Sequence, residues 1–407
     1  MSFRYQAAIN KPGFNPLGTQ TSVTGVQYSG LWNLSSQANA QALGTWPIPP
    51  QPHLYAWGTN TYGNLGLGNT TNYSSPKQVG SLTTWLNIAT SYWSGYAVKT
   101  DGTLWDWGRN NKGQLGLGNI TDYSSPIQVG SLTNWSKVFG SKDNNDAFVI
   151  SLKTDGTLWA WGGNAYGELG LGNTTYYSSP KQIGALTNWL KVASGNYFSL
   201  AIKTDGSMWS WGGGFTNYGQ LGLNNITNYS SPKQIGALTT WSTISAGANI
   251  SVAVKTDGTL WSWGRNNFGQ LGLGNTTNYS SPKQIGSLTN WSSVACGLSN
   301  MIAIKTDGTI WSWGYNNNGQ LGLGNVTNYS SPVQIGALTT WNNINLGNYH
   351  ALSIKTDGTL WTWGNNQNGQ LGLGSITFYS SPKQVGSSTY WSSTSASGYS
   401  SLAIAKF

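Results

Sequence analysis

Few side chains in this sequence could do chemistry, and they do not stand at the spacings that chemistry requires. The two histidines, His53 and His350, have no acidic or nucleophilic partner near them in sequence. No Ser-His-Asp set, paired-carboxylate motif or His-Cys metal spacing can be named. A lone histidine on a strand reads as structural. The single cysteine, Cys296, excludes an intramolecular disulfide framework and a cysteine-based metal cluster. The segment GQLGLG, as at 269–274, has the order G-x-x-G-x-G, which is wrong for a dinucleotide fingerprint. Its near-copies in unit after unit argue for a loop that needs glycine dihedrals. The expectation is a non-enzymatic chain with no catalytic residue, cofactor or metal.

Other polar groups recur and read as structural. Asp101, Asp155, Asp205, Asp257, Asp307 and Asp357 each precede a glycine, a pair suited to a two-residue type I′ turn, so these acids read as turn formers. Asn69, Asn119, Asn173, Asn225, Asn275 and Asn325 open Asn-x-Thr triplets that formally match glycosylation acceptors. Loop formation is the better reading of them. Tyr73, Tyr123, Tyr177, Tyr229, Tyr279, Tyr329 and Tyr379 recur as well. Exposed, they would form a sugar-stacking girdle; buried, they would staple a loop to its unit.

Departures from the repeat carry the candidate binding positions, because loops on a rigid scaffold commonly bind. One unit gains four residues in 139–148, with Lys142, Asp143, Asn144 and Asn145; another gains two in 213–218, with Phe215, Thr216, Asn217 and Tyr218. Neutral length drift is the competing explanation.

The elements that position these residues are legible from the period. Trp-Gly pairs start at 57, 107, 161, 211, 263, 313 and 363, spacings of 50, 54, 50, 52, 50 and 50. Such periods mean a solenoid, a propeller or an array. Within a unit, 251–264 reads as a hairpin whose second strand carries Trp261 and Trp263 on one face. Residues 241–247 read as a small-residue strand suited to a crowded axis. Residues 281–286, opened by Pro282 with Lys283 beside it, read as an outermost strand protected from edge pairing. The chain ends on two strands of a unit (401–407) and begins its repeat at 53–58 on the third. The fold class is therefore all-β, a seven-bladed β-propeller closed by pairing N- and C-terminal strands.

Residues 1–52 stand outside the repeat as a proline-rich extended arm, and 53–407 form the propeller. A short helix is expected over 32–43. Phe3, Tyr5, Phe14, Tyr28, Leu31, Trp32 and Trp46 give the arm many apolar groups, so it reads either as a disordered leader or as an anchoring segment that orders on a partner. With 20 Lys and Arg against 11 Asp and Glu the chain is basic. Lys99, Lys153, Lys203, Lys255, Lys305 and Lys355 occupy one repeated position, so the charge spreads as a dilute halo. No specific nucleic-acid partner is expected, and no membrane partner, since no apolar run is long enough.

The segment Trp263-Gly264, Asn266, Gly269-Gln270-Leu271-Gly272 and Gly274, with Pro282, resembles the repeat of the regulator of chromosome condensation family across residues 53–407. The resemblance implies a seven-bladed propeller. Its best-known member is a nucleotide-exchange factor for a small nuclear GTPase and binds nucleosomes. That activity is not carried over: this chain lacks the basic tail and wedge-like insertion, and the family's G-x-x-H histidine is met at His350 but replaced by Phe198, Ile250 and Asn300. In the arm, YSGLW (28–32) and GTWP (44–47) are similar to segments of virion proteins of marine tailed bacteriophages.

The functional expectation is a virion protein, a capsid decoration, spike or tail-fibre component. It would be held to other virion proteins of capsid or tail by its arm, and would bind a host-surface glycan or protein. The alternatives are a cytoplasmic protein-interaction propeller that binds a GTPase or another partner, and a lectin-like glycan binder.

Overall fold

The computed structural model describes residues 50–407. The expected anchoring residues Phe3, Tyr5, Phe14, Tyr28, Leu31, Trp32 and Trp46, the helix expected over 32–43 and the phage-like segments lie outside the described residues. Among the described residues, 28 strands form seven four-stranded antiparallel sheets and there is no helix.

One unit shows the plan. Trp241–Ala246 is its first strand, followed by Ile250–Lys255, Leu260–Gly264 and Tyr279–Gln284. First strands of successive sheets contact one another around the axis, and fourth strands lie outermost. Side-chain alternation along each strand sends one set to each neighbour. Ile250, Val252, Val254 and Leu260 pack against Trp291, Val294 and Trp313 of the next sheet. Ala253, Trp261 and Trp263 pack against Phe198, Leu200 and Ile202 of the preceding one. The core thus lies between blades, one cluster at each of seven junctions.

The ring closes as expected. The seam sheet has the order Tyr73–Gln78, Pro52–Gly58, Ser400–Lys406, Trp391–Ser397. Tyr55 pairs with Ala403 and Trp57 with Ser401, so strands from the two ends of the repeat share one ladder.

Every junction repeats one hydrogen bond. The Trp263 indole, fully buried, donates to the Gln220 carbonyl of the preceding blade at 2.8 Å. Trp57, across the seam, donates to Gln370 at 2.8 Å. The accepting carbonyl belongs to the GQLGLG-type loop, whose glycines take the dihedrals expected of them. Gly272 has φ +72°, and a Cβ there would lie 2.7 Å from the Trp313 indole nitrogen. The same loop reaches onto the next blade's outer strand, Gly274 N–H donating to Ser330 O at 2.8 Å.

Three local expectations are corrected. The Asp-Gly hairpins are not type I′ turns. Gly258 has positive φ (+77°) and Asp257 does not; Gly258 N–H bonds Lys255 O and Lys255 N–H bonds Thr259 O, each at 3.0 Å. This is a three-residue loop, a type I turn ending in a left-handed glycine. The cause is side-chain chemistry. Asp257 Oδ1 accepts from Thr259 N–H at 2.9 Å and from the Thr259 hydroxyl at 2.7 Å, and Thr259 Oγ1 accepts from the Trp261 indole at 2.8 Å. The acids are turn formers, as read, in a different turn.

The outer strand begins at Tyr279, not Ser281, and Pro282 sits within a register irregularity between Ser262 and Gly264. A bulge tolerates the missing N–H there. The lysine halo is also corrected: Lys99, Lys153, Lys203, Lys305 and Lys355 are buried. Lys203 Nζ lies 3.8 Å from the Trp209 ring centroid and 4.9 Å from that of Trp189. Such contacts contribute on the order of 0.5–2 kcal/mol each.

Two glycines separate conformational cost from close approach. Gly286 has φ +58° and open space around its would-be Cβ, so Gly286→Ala is expected to cost about 1–2 kcal/mol. Gly272→Ala carries the same strain and pushes the Trp313 indole off its bond to Gln270 O at 3.0 Å, a further ~1–3 kcal/mol. Urea unfolding of both variants checks this; equal losses would contradict the indole bond as the stronger constraint.

Candidate functional site

Antiparallel order brings each blade's first-to-second and third-to-fourth connections to one end of the ring. The side chains of those connections meet there as a rim. Arg109 stacks over Tyr62 at 4.9 Å, Tyr62 meets Trp93 at 5.3 Å, and Trp93 meets Tyr92 at 4.7 Å. Tyr92 meets Tyr399 at 5.8 Å, Tyr399 meets Tyr349 at 6.3 Å, and Tyr349 meets Tyr315 at 6.4 Å. Tyr315 meets Phe268 at 4.9 Å, and Arg265 lies over both Phe268 (5.8 Å) and Tyr218 (5.4 Å). Tyr166 and Tyr197 form a separate pair at 5.1 Å. All these residues are half-buried. Each ring is braced by a neighbour and keeps part of its surface free.

Both insertions stand on this face, and both flank Tyr197. Lys142 donates its N–H to Gly195 O at 3.1 Å and its ammonium to the carbonyls of Cys296 and of Leu346, the latter at 3.3 Å. Asp143 Oδ2 accepts the N–H groups of Asn145, at 2.8 Å, and of Asp146. Arg109 Nη1 donates to Asn144 O at 2.9 Å. Asn144 and Asn145 are exposed. In the second insertion Phe215 is 86% exposed and Thr216 is exposed. Asn217 Nδ2 donates to Thr227 O at 3.3 Å, and Tyr218 N–H donates to Gln220 Oε1 at 2.7 Å. Desolvation raises the Tyr197 pKa, and the facing Asp143 carboxylate adds to it; Gly214 lies under the same ring.

The repeated Asn and Tyr positions are loop chemistry. Asn275 Oδ1 accepts Thr277 N–H at 3.0 Å, and Asn275 Nδ2 donates to the Tyr279 hydroxyl at 3.3 Å. Tyr279 is half-buried with Lys283 Nζ 5.5 Å over its ring. The tyrosines are staples, neither a free girdle nor fully buried.

The two histidines each lie at the start of a strand, His350 on a second strand and His53 on a third, and these run in opposite directions. His350, on the rim side, is buried, with Nε2 at 3.0 Å from Ser401 Oγ; desolvation lowers its pKa to about 3. His53 stacks on Phe407 at 4.7 Å. Burial pushes the Cys296 thiol up to about 12. At neutral pH His350 is uncharged and Cys296 is a thiol. Among the described residues no group of three His, Cys, Asp or Glu side chains could hold a metal ion.

One pair was missed in sequence. Glu168 stands where the other units have Gln or Asn, and Gly163 leaves room into which Asp146 of the insertion projects. Glu168 Oε2 accepts Tyr166 N–H at 2.7 Å and Asp146 Oδ2 accepts Ala165 N–H at 3.1 Å. Glu168 Oε1 and Asp146 Oδ1 are buried acceptors with no donor, so a proton held on Glu168 removes the cost of a second buried charge there. Burial, with the Asp146 charge adding to it, holds Glu168 far above the usual carboxylate range. The signal was available: a single Glu among glutamines, in the unit that carries the longer insertion.

A second buried acid, Asp106, replaces the serine found at 210, 262 and 312, and both its oxygens lack partners. Burial raises its pKa well above 3.8.

A carboxyl with a raised folded-state pKa contributes stability that is complete below its unfolded value and is lost as pH climbs toward the folded one. Tm should therefore fall for the wild type from pH 5 to pH 8, and fall less for Glu168→Gln and for Asp106→Ser. Parallel Tm curves for all three proteins would contradict the raised pKa values of Glu168 and Asp106. Asp106→Ser should also raise Tm at pH 7, because it removes an acid that must be neutralised on folding.

Comparison with known proteins places this geometry. Residues 143–405 match the RCC1-like domain, and residues 53–98 and 101–144 match the Regulator of chromosome condensation (RCC1) repeat. The chain is 26% identical over 272 residues to the RCC1 domain-containing protein RUG3, mitochondrial, of Arabidopsis thaliana; the match covers 64% of this chain and 58% of RUG3. The crystal structure of human WBSCR16 superposes with TM-score 0.76 at 22% identity, covering 87% of this chain and 99% of that one. Saccharomyces cerevisiae Prp20p, whose structure was described with its binding properties to Gsp1p and histones, gives TM-score 0.76 at 19% identity and covers 91% and 95%. These structural likenesses are of fold.

Proposed function

This chain belongs to the RCC1-like domain family, and from the make-up of its rim we propose that it is a non-enzymatic, intracellular propeller that holds a protein partner on its loop-bearing face. The observation that carries this reading is the run of Tyr, Trp and Arg side chains from Arg109 to Tyr218. These are the residue types that dominate binding energy at interfaces. Bracing by neighbouring rings lowers the side-chain entropy that binding would otherwise cost. That Prp20p binds Gsp1p and histones supports a protein ligand for this fold. Virion display rested on the arm, which lies outside the described residues, on the uniformity of the repeats and on the lack of reactive constellations; the kinship to RCC1-type proteins favours the protein-interaction reading over it. Glycan binding through the repeated tyrosines is less favoured, since the hydroxyls of Tyr73, Tyr123, Tyr177, Tyr229, Tyr279 and Tyr329 are each engaged by an asparagine of their own blade.

The test is affinity capture from source-cell extract followed by titration of the partner so identified. Trp93→Ala, Tyr349→Ala and Arg265→Ala should each weaken binding by about 1–4 kcal/mol, roughly 5- to 1,000-fold in Kd, with Tm within a few degrees of the parent. Lys283→Ala, on the outer wall, should leave Kd unchanged. A partner lost with Lys283→Ala and retained by the three rim variants would overturn the assignment to this face.

A further inference from the structure

The Lys142 ammonium is held by main-chain carbonyls. Cys296 O and Leu346 O end the innermost strands of two adjacent blades, Trp291–Cys296 and Trp341–Leu346. The ammonium is buried while part of the stem stays exposed on the loop face. Among the hydrogen bonds it makes there is none to a carboxylate. Asp143 points at its own loop's N–H groups, and Asp146 accepts the Ala165 N–H. Nearby, Asn348 is 4% exposed and its Oδ1 has no partner. The next residue pair along that strand start includes His350, which is kept uncharged by burial and by Lys142 itself.

Donor and acceptors have different origins. Carbonyls at the ends of the innermost strands belong to the repeat and are present in every blade. The lysine comes from the connection that is four residues longer than its equivalents. The acceptor set therefore exists without the group that fills it.

We infer that the main-chain carbonyls at the rim ends of the innermost strands, Cys296 O and Leu346 O, form a binding site for an unbranched primary ammonium, which this chain occupies with its own Lys142. Its ligand class is an alkylammonium ion, carried either by a free amine or by a lysine side chain. The site stands independently of the partner reading above. It requires two N–H donors from one nitrogen on a narrow stem, which a quaternary ammonium cannot supply.

The experiment is chemical rescue of Lys142→Ala, followed by thermal unfolding at constant ionic strength. The variant should melt several degrees below the parent. n-Butylammonium chloride should restore Tm saturably in the millimolar range, and tetramethylammonium chloride should not. Lys142→Met, whose stem fills the cavity, should not respond to either salt. A Lys142→Ala protein that melts like the parent, or that responds equally to both salts, overturns the site. Should Lys142→Ala accumulate unfolded, the same salts are present during refolding. Recovery in n-butylammonium alone supports the site, whereas recovery in neither, while Lys142→Met folds unaided, overturns it. Nα-acetyl-lysine methylamide in the same assay identifies the source. Rescue by it supports a lysine side chain as ligand, and its failure beside a working n-butylammonium rescue supports free amines.

Discussion

The bond from a buried indole N–H to the carbonyl of a loop on the preceding blade is the constraint on which the rest of this molecule depends. It occurs at all seven junctions, from Trp57 to Gln370 across the seam and from Trp107 to Asn64 through Trp363 to Gln320. Leaving that N–H unpaired would cost about 1–3 kcal/mol at each junction; the first-strand tryptophans, from Trp85 to Trp391, are buried with their indole N–H unpartnered, so the third-strand indoles are the ones that tie blade to blade. The bond therefore sets how far and at what angle each blade sits from the next. It also explains the glycine at 272 and its equivalents, because only a residue without Cβ lets the loop lie on the indole face.

That loop serves two ends. Its inner half anchors the tryptophan and docks on the next blade's outer strand; its outer half delivers Tyr62, Tyr166, Tyr218, Phe268 and Tyr315 to the rim. The face that meets a partner is thus built from the same segment that fixes blade spacing. Rim geometry inherits the rigidity of the core, which is how a scaffold made of short loops can present a preorganised surface.

Charge is used sparingly, and much of it is engaged locally. Lysines lie on tryptophan rings beside the hairpin turns, the turn acids are tied to Thr hydroxyls, and Glu168 and Asp106 are neutralised by burial. Ion pairs contribute little to such a design. Cation–π contacts and charge-assisted turns give the hairpins their definition, and a ring of small blades gains more from these than from surface pairs.

The period, the hairpins, the glycine loops and the shared seam sheet were legible in the sequence because each depends on residues close together in the chain or on a pattern repeated seven times. The turn type was misread, since Asp-Gly alone does not reveal that Thr259 would draw the carboxylate and lengthen the loop. Likewise the lysine period was visible, but its burial was not, because a period says nothing of which aromatic faces a side chain will meet. The insertions stood out by length, yet their role depended on closure. Ring closure lets Tyr92 meet Tyr399 of the neighbouring blade and Lys142 reach Cys296 and Leu346 on the far side of the ring, while Asp146 finds Glu168 through the folding of one blade. A repeat determines what each blade is; contacts across the axis exist only once blade spacing, set by the buried indoles, has brought distant loops together.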